Sequence, residues 1–194
     1  MAIRKQSYAA RLRIDYPRSL DRVSSFFRLL WALPIFVVIC LLTSNGGQGF
    51  MLATLLMILF RQIYPRWWFD FVRELTKFST RVGAYVLLLT DRYPSTVDDQ
   101  TVHLDIDYPD AQKDINRALP LVKWFLAIPH YIVLAFLGIA VVFVTLFAWF
   151  AILFTGKYPR GPFDFVVGVM RWNLRVNAYA FLLVTDKYPP FSLK

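Results

Sequence analysis

A tandem duplication is the feature that most constrains this chain. Three landmarks occur twice, in the same order, at an offset of 94 or 95 residues. They are Tyr-Pro-Arg with Phe-Asp-Phe (from Tyr64 and Tyr158), Arg-Val-x-Ala-Tyr (from Arg81 and Arg175) and Thr-Asp-x-Tyr-Pro (from Thr90 and Thr185). Landmarks that recur in order at near-constant spacing indicate repeated structural units. The sequence therefore predicts two similar units, residues 1–97 and 98–194.

The composition indicates a membrane protein. Hydrophobic residues make up 57% of the 194 residues, and eighteen Phe, ten Tyr and six Trp supply many aromatic rings of the kind that anchor proteins at membrane interfaces. The net charge of +9 fits anionic lipid headgroups or nucleic acid. A nucleic-acid binder would need a basic, aromatic-bearing soluble module, and the chain has none, so no nucleic-acid partner is expected.

Two long apolar segments predict two helical hairpins. Residues 26–43 are apolar apart from Arg28, a glycine-rich break follows at 44–49, and residues 50–60 are apolar again. Residues 124–156 carry no charge, and as one helix they would measure roughly 50 Å against a hydrocarbon core of roughly 30 Å. The prediction is a transmembrane hairpin over 23–63 and another over 118–157, turning near Gly138.

The charged residues predict the orientation of these hairpins. Every Lys, Arg, Asp and Glu lies outside the two predicted tips. By the positive-inside rule, the N-terminus, the central linker and the C-terminus are then all cytoplasmic in a multi-pass protein.

An amphipathic helix is predicted after each hairpin, over 67–91 and 163–186. A basic stripe beside apolar bulk favours a helix in the plane of the interface, and a membrane-spanning helix is the alternative. Arginine can bind lipid phosphate through two hydrogen bonds, and tyrosine anchors at the interface. The candidates for contact with headgroups or the interface are Arg66, Arg73, Lys77, Arg81, Tyr85, Arg160, Arg171, Arg175 and Tyr179.

Four duplicated acids are candidates for structural pairing. Asp70 and Asp164 lie near predicted helix starts, where a carboxylate interacts with free backbone N–H groups; the alternative is that Asp70 pairs with Arg73 or Arg81. Asp91 and Asp186 are candidate partners of Arg81 and Arg175, whose other predicted role is to bind lipid phosphate.

Two short strands are predicted within 10–17 and 102–109, where apolar and polar residues alternate. Residues typical of catalysis are missing: the sequence has no Ser-His-Asp set, metal-ligand cluster or phosphate-binding glycine loop. A single cysteine, Cys40, and two histidines do not suffice for a zinc site. No enzymatic activity, cofactor or metal is expected.

The repeated motifs resemble those of the bacterial domain-of-unknown-function 4389 family. The resemblance rests on Tyr-Pro-Arg-x-x-Phe-Asp-Phe, Arg-Val-x-Ala-Tyr and Leu-Thr-Asp-x-Tyr-Pro, and covers residues 10–192. It implies an integral membrane protein of bacteria, so the expected location is the bacterial cytoplasmic membrane. It implies no reaction, substrate or catalytic residue.

The sequence thus predicts an all-α integral membrane protein of two tandem repeats. Each repeat is a transmembrane hairpin followed by an amphipathic interfacial helix, with short cytoplasmic strands. The predicted function is that of a non-enzymatic accessory or scaffold subunit that docks laterally on a larger membrane complex or binds anionic lipid, with other membrane subunits or its own copies as partners. The alternative is a small oligomeric channel or transporter subunit.

Overall fold

The computed structural model describes residues 8–44 and 47–194, and within them are seven α-helices and two strands. In chain order these are β1 (Ala10–Ile14), α1 (Arg22–Phe26), α2 (Arg28–Ser44), α3 (Gly47–Leu56), α4 (Arg66–Val86), β2 (Val102–Ile106), α5 (Pro120–Leu126), α6 (Ile128–Thr155) and α7 (Arg160–Ala180). A π-helical turn, Met57–Arg61, extends α3.

The hairpin predicted over 118–157 is wrong. Helix α6 runs without interruption for 28 residues, straight through Gly138. A single glycine costs a helix only about 1 kcal/mol relative to alanine, too little to break a long helix that packs along a neighbour. Helix α6 ends instead at Gly156, whose left-handed backbone (φ 70°) suits glycine.

The hairpin predicted over 23–63 is also wrong. Residues 45–46 of its tip lie outside the described residues. Ala32 of α2 packs on the C-terminal half of α4, beside Val82, whereas Phe50 of α3 lies 5.5 Å from Trp68 near the start of α4, measured between ring centroids. Helices α2 and α3 therefore follow one another along α4, and the helix that folds back along them is α4.

Only α6, among the described helices, has the length and composition to cross a membrane, with a mean hydropathy of 2.7 over an 18-residue window. The two predicted transmembrane hairpins are therefore absent among the described helices. Each repeat instead packs its apolar helices against the amphipathic helix that follows them: α2 and α3 against α4, and α6 against α7. The apolar helices α2 and α3 are shorter than a full span.

Helices α4 and α7 form at the predicted places but end several residues early. After each helix, an equivalent leucine adopts a left-handed backbone conformation: Leu88 at φ 64° and Leu183 at φ 57°. Both leucines are buried, so packing holds a conformation that is uncommon for residues other than glycine.

Helix α7 is enclosed rather than lying with one face on a membrane surface. Its C-terminal half packs antiparallel to the start of α6, where His130 accepts a hydrogen bond from Trp172 (3.1 Å). Its other side packs on β1, where Arg171 donates to the carbonyl of Leu12 (3.1 Å). Long-range packing of both faces thus makes α7 a core helix.

Both predicted strands form, and they pair antiparallel with Leu12 opposite Leu104. Apolar side chains on one face are buried, and charged side chains project from the other. Asp15-Tyr16-Pro17 after β1 recurs as Asp107-Tyr108-Pro109 after β2, at an offset of 92 residues, so Leu12 and Leu104 are equivalent positions. A pseudo-twofold axis therefore passes between them, perpendicular to the sheet.

The two repeats exchange these strands. Tyr16, after β1, packs on Phe163 of the second repeat (4.9 Å between ring centroids), and Tyr108, after β2, packs on Phe69 of the first (5.1 Å). The hydroxyl of Tyr108 also donates to the carbonyl of Tyr64 (2.6 Å). The chain therefore has three layers: the sheet, then α4 and α7, then the apolar helices α2, α3 and α6.

Candidate functional site

The best-defined polar site contains a buried cation and occurs once in each repeat. In the first repeat, Arg28 at the start of α2 is 2% exposed. Its guanidinium donates to the carbonyl of Thr90 (2.6 Å) and forms an ion pair with Asp91. The ring of Tyr85 lies beneath the guanidinium, 4.3 Å from its central carbon. This site fastens the start of α2 to the segment that follows α4.

The second repeat reproduces the site with lysine in place of arginine. Lys123 of α5 is fully buried (0% exposed), and its Nζ donates to the carbonyl of Thr185 (2.8 Å) and lies 2.7 Å from Oδ1 of Asp186. The ring centroid of Tyr179 is 5.3 Å from the ammonium nitrogen. Burial lowers the pKa of Lys123, and the hydrogen bond with Asp186 opposes that shift.

The same carboxylates also hold the chain ahead of each apolar helix. The second oxygen of Asp91 accepts a hydrogen bond from the backbone N–H of Asp21 (2.7 Å), and that of Asp186 accepts one from Asn116 (2.6 Å). Each carboxylate therefore joins three parts of its repeat. A buried cation held between a carboxylate and a backbone carbonyl leaves little room for a substrate, and the site works as a structural clamp.

The acids predicted to pair with Arg81 and Arg175 pair instead with Arg28 and Lys123. These cations lie more than sixty residues from their carboxylates. One sequence signal could have found the first of them: Arg28 is the single charge in the apolar stretch 26–43. A charge placed there needs a buried partner.

Arg81 and Arg175 occupy equivalent buried positions, 5% and 6% exposed. Their guanidinium groups donate to the carbonyls of Ser95 and Ser192, in the segments that return after α4 and α7. Burial lowers the pKa of Arg175. The observed partners of these two arginines are backbone carbonyls. Their predicted contact with lipid phosphate stays a prediction.

Asp70 and Asp164 pair with arginines on their own helices. Arg66 and Arg73 lie 3.4 and 3.2 Å from Asp70, and Arg160 lies 3.8 Å from Asp164. Arg66 and Arg160 are exposed, as a headgroup contact requires.

The remaining headgroup candidates differ in exposure. Lys77 is half-buried beside Glu74 (3.6 Å), and Arg171 lies between the carbonyls of Leu12 and Leu193. Tyr85 and Tyr179 are buried. Across residues 8–44 and 47–194, no group of three His, Cys, Asp or Glu side chains could hold a metal ion.

A cavity of about 500 Å³ lies between the repeats. Helices α3 and α4 of the first repeat and α6 and α7 of the second line it, and no lining side chain is charged. Sequence reasoning missed it because its walls come from segments about ninety residues apart.

The family model for the domain of unknown function DUF4389 matches residues 22–97 and 119–192, well over half of the chain. The chain belongs to the DUF4389 family. The two tandem matches confirm the duplication and the resemblance to this family. Each matched region of this DUF4389 protein contains both partners of one clamp, whereas β1 and β2 lie outside the matches. No curated protein and no solved structure matches the chain.

Proposed function

We propose that this DUF4389 protein is a non-enzymatic accessory or scaffold protein of a membrane. Its apolar helix layer lies in the lipid, and it docks laterally on other membrane proteins. The observation that carries the proposal is the exposure of α6: only 11% of its most apolar window is buried, at a mean hydropathy of 2.7. In water an apolar surface of this size would drive aggregation, so it is expected to meet lipid or protein.

The exposed apolar surface extends beyond α6. It includes α2 and the aromatic residues around the two clamps, and its larger members outside α6 are Phe26, Phe27, Leu29, Leu30, Trp31, Phe36, Leu41, Trp124 and Phe125. Tryptophan and phenylalanine beside a charged layer are typical of proteins that sit at a membrane surface.

The layered arrangement favours α6 lying in the plane of the membrane. Helix α7 packs between helix α6 and strand β1, and the outer face of the sheet carries Arg11, Arg13 and Asp105. If α6 stood upright across the bilayer, these charges would lie at membrane depth, which costs several kcal/mol per residue. If α6 lies flat, the charged face of the sheet is in water.

Exposed basic residues cluster where the apolar helices end. Arg61 follows α3, Lys157 follows α6, and Arg66 and Arg160 begin α4 and α7. Positive charge beside the ends of the apolar helices supports contact with anionic lipid headgroups. The expected location is the bacterial cytoplasmic membrane.

The alternative function is that of a small channel or transporter subunit, and the cavity between the repeats is the observation that favours it. The proposed accessory role takes precedence because the buried cations Arg28 and Lys123 are engaged with Asp91 and Asp186 in the clamps. A transport site would need such groups on a solute path.

Labelling of single cysteines in sealed vesicles tests the membrane placement. In a Cys40→Ser background, Gln112→Cys and Lys157→Cys report the regions before and after α6, and Phe143→Cys reports its exposed middle. An impermeant maleimide should modify positions 112 and 157 from the same side and leave position 143 unmodified. Positions 112 and 157 on opposite sides would show a crossing helix. Free labelling of position 143 would exclude a location of the middle of α6 in the membrane.

Native mass spectrometry after gentle detergent extraction tests the accessory role. A defined membrane protein bound in fixed stoichiometry is the expected result. A lone homo-oligomer that conducts solute across liposomes would overturn the proposal in favour of the channel.

A further inference from the structure

The cavity between the repeats lies beneath the sheet, close to the pseudo-twofold axis. Ser79 of α4 and Asn173 of α7, which the duplication makes equivalent, both line it. Its volume of about 500 Å³ is within the roughly 300–1,000 Å³ of small-molecule sites. Neither clamp contributes to its walls.

The lining joins uncharged polar groups to flexible apolar ones. The polar side chains are Thr54, Thr76, Ser79, Thr80, Asn173 and Asn177. Much of the remaining wall is formed by Phe50, Met51, Leu75, Val141, Met170 and Phe181. Methionine side chains adapt to ligands of irregular shape.

The hydrogen-bond pattern shows which groups are available. The hydroxyls of Thr76 and Thr80 donate to carbonyls one turn earlier (2.8 Å each), so they offer only acceptor lone pairs. Asn177 donates to Oδ1 of Asn173 (2.6 Å), which leaves the amide N–H groups of Asn173 as donors. Ser79 Oγ has no partner among the described residues, so it can donate and accept.

Helix α6 places one wall of the cavity in the apolar layer. Leu134, Gly138 and Val141 line it from the segment that meets lipid in the proposed placement. A lipid-soluble molecule can reach this wall without crossing water. A charged ligand would be buried among neutral groups with no counter-ion, which is costly.

We propose that the cavity binds an uncharged amphipathic lipid whose polar end carries hydroxyl or carbonyl oxygens. Ser79 and Asn173 donate to that end, Thr76 and Thr80 accept from its hydroxyl when it has one, and the apolar wall holds the start of its chain. Quinones and diacylglycerols share this chemistry. The site goes beyond the accessory role and stands whether or not a partner protein docks.

Binding is measured on the full chain in phosphatidylcholine nanodiscs, with a tritiated decyl-substituted benzoquinone and tritiated dioctanoylglycerol as separate probes. Saturable binding of at least one probe is expected. Binding of the quinone alone or of the diacylglycerol alone identifies the source of the ligand. Absence of binding by both overturns the proposal, as does competition by phosphatidylglycerol at equal concentration.

Gly138→Leu is the most specific variant. A Cβ at position 138 meets no atom within 4 Å, and leucine favours helix over glycine, so the side chain should fill the cavity without disturbing α6. Binding should weaken at least tenfold. Gly161→Leu is the matched control, because its Cβ also meets no atom within 4 Å and it lies outside the cavity. Unchanged binding by Gly138→Leu would overturn the proposal.

Asn173→Leu tests the polar end of the site. It removes the available amide donors from a helix face while keeping a good helix former. Affinity should fall roughly tenfold for a probe with carbonyl oxygens, while the melting temperature stays within the range of the Gly161→Leu control. Loss of binding only in variants that also lose their cooperative melting transition would show a folding defect and overturn the assignment of the donor.

Discussion

Leu12 and Leu104 face each other across the sheet at positions that the duplication makes equivalent. Their pairing places the pseudo-twofold axis of the molecule. Each strand then packs on the amphipathic helix of the other repeat, so that Tyr16 meets Phe163 and Tyr108 meets Phe69. A tandem duplication has thus produced two interlocked halves.

The halves should fold only together. We expect fragments 1–97 and 98–194 to be poorly folded when expressed alone and to co-purify through a single tag when co-expressed, because each lacks the strand that covers its own helix. Circular dichroism checks the fold. Leu12→Asp should prevent association, whereas Arg13→Asp on the exposed face should not. A fragment that melts cooperatively by itself would contradict the prediction.

The clamp in the second repeat should contribute strongly to stability. Asp186→Asn leaves Lys123 charged, buried and without its carboxylate, so we expect a loss of about 3–5 kcal/mol. The double variant Lys123→Met with Asp186→Asn should lose less than Asp186→Asn alone, because it leaves no buried charge. Thermal unfolding in detergent, followed by circular dichroism, measures both.

The exposed pair of Arg66 and Asp70 is the control for the clamp. Both side chains reach solvent, so Arg66→Met should cost at most about 1 kcal/mol. Equal losses for Arg66→Met and Asp186→Asn would show that burial does not set the strength of the clamp.

Alkaline pH should destabilise the fold through Tyr158. Burial raises the pKa of this tyrosine from 10.0 to about 12. A raised folded-state pKa contributes stability that is complete below pH 10 and is lost as the pH rises towards 12, up to about 2 kcal/mol. Tyr158→Phe should lose less stability than the wild type over this window. The exposed Tyr93→Phe should follow the wild type, and a Tyr158→Phe profile that also does so would contradict the prediction.

Gly168 should tolerate no side chain while the C-terminal segment is in place. A Cβ there would lie 2.9 Å from both Cβ and the carbonyl oxygen of Leu193. Gly168→Ala should cost about 1–3 kcal/mol through overpacking, whereas Gly138→Ala should gain up to about 1 kcal/mol. Removing residues 191–194 should abolish this cost, so that Gly168→Ala in the truncated protein gains up to about 1 kcal/mol, as Gly138→Ala does. The melting temperatures of five proteins decide this: the wild type, Gly168→Ala, Gly138→Ala, and the truncated chain with and without Gly168→Ala.

The local pattern of polar and apolar residues was sufficient to predict the elements in which buried and exposed side chains alternate regularly. The polar-apolar alternation of β1 and β2 and the mixed face of α4 follow from the side-chain periods of strand and helix. The error in α6 arose from dividing an apolar segment by the thickness of a bilayer, which takes no account of the helix packed beside it. Helix α6 is continuous and packs against α7. The pattern of residues within the segment does not show that contact.

The sequence alone was enough to establish the duplication and the family, because both rest on motifs that are recognised by their order of residues. It also placed the two strands and the two amphipathic helices, because each follows from the pattern of neighbouring residues. Tertiary structure decided the strand exchange, the cations that partner Asp91 and Asp186, and the cavity between the repeats. These depend on contacts between residues that lie far apart in the chain, such as Arg28 with Asp91 and Tyr16 with Phe163. Which distant groups meet is set by the simultaneous burial of many side chains, and no local period records it.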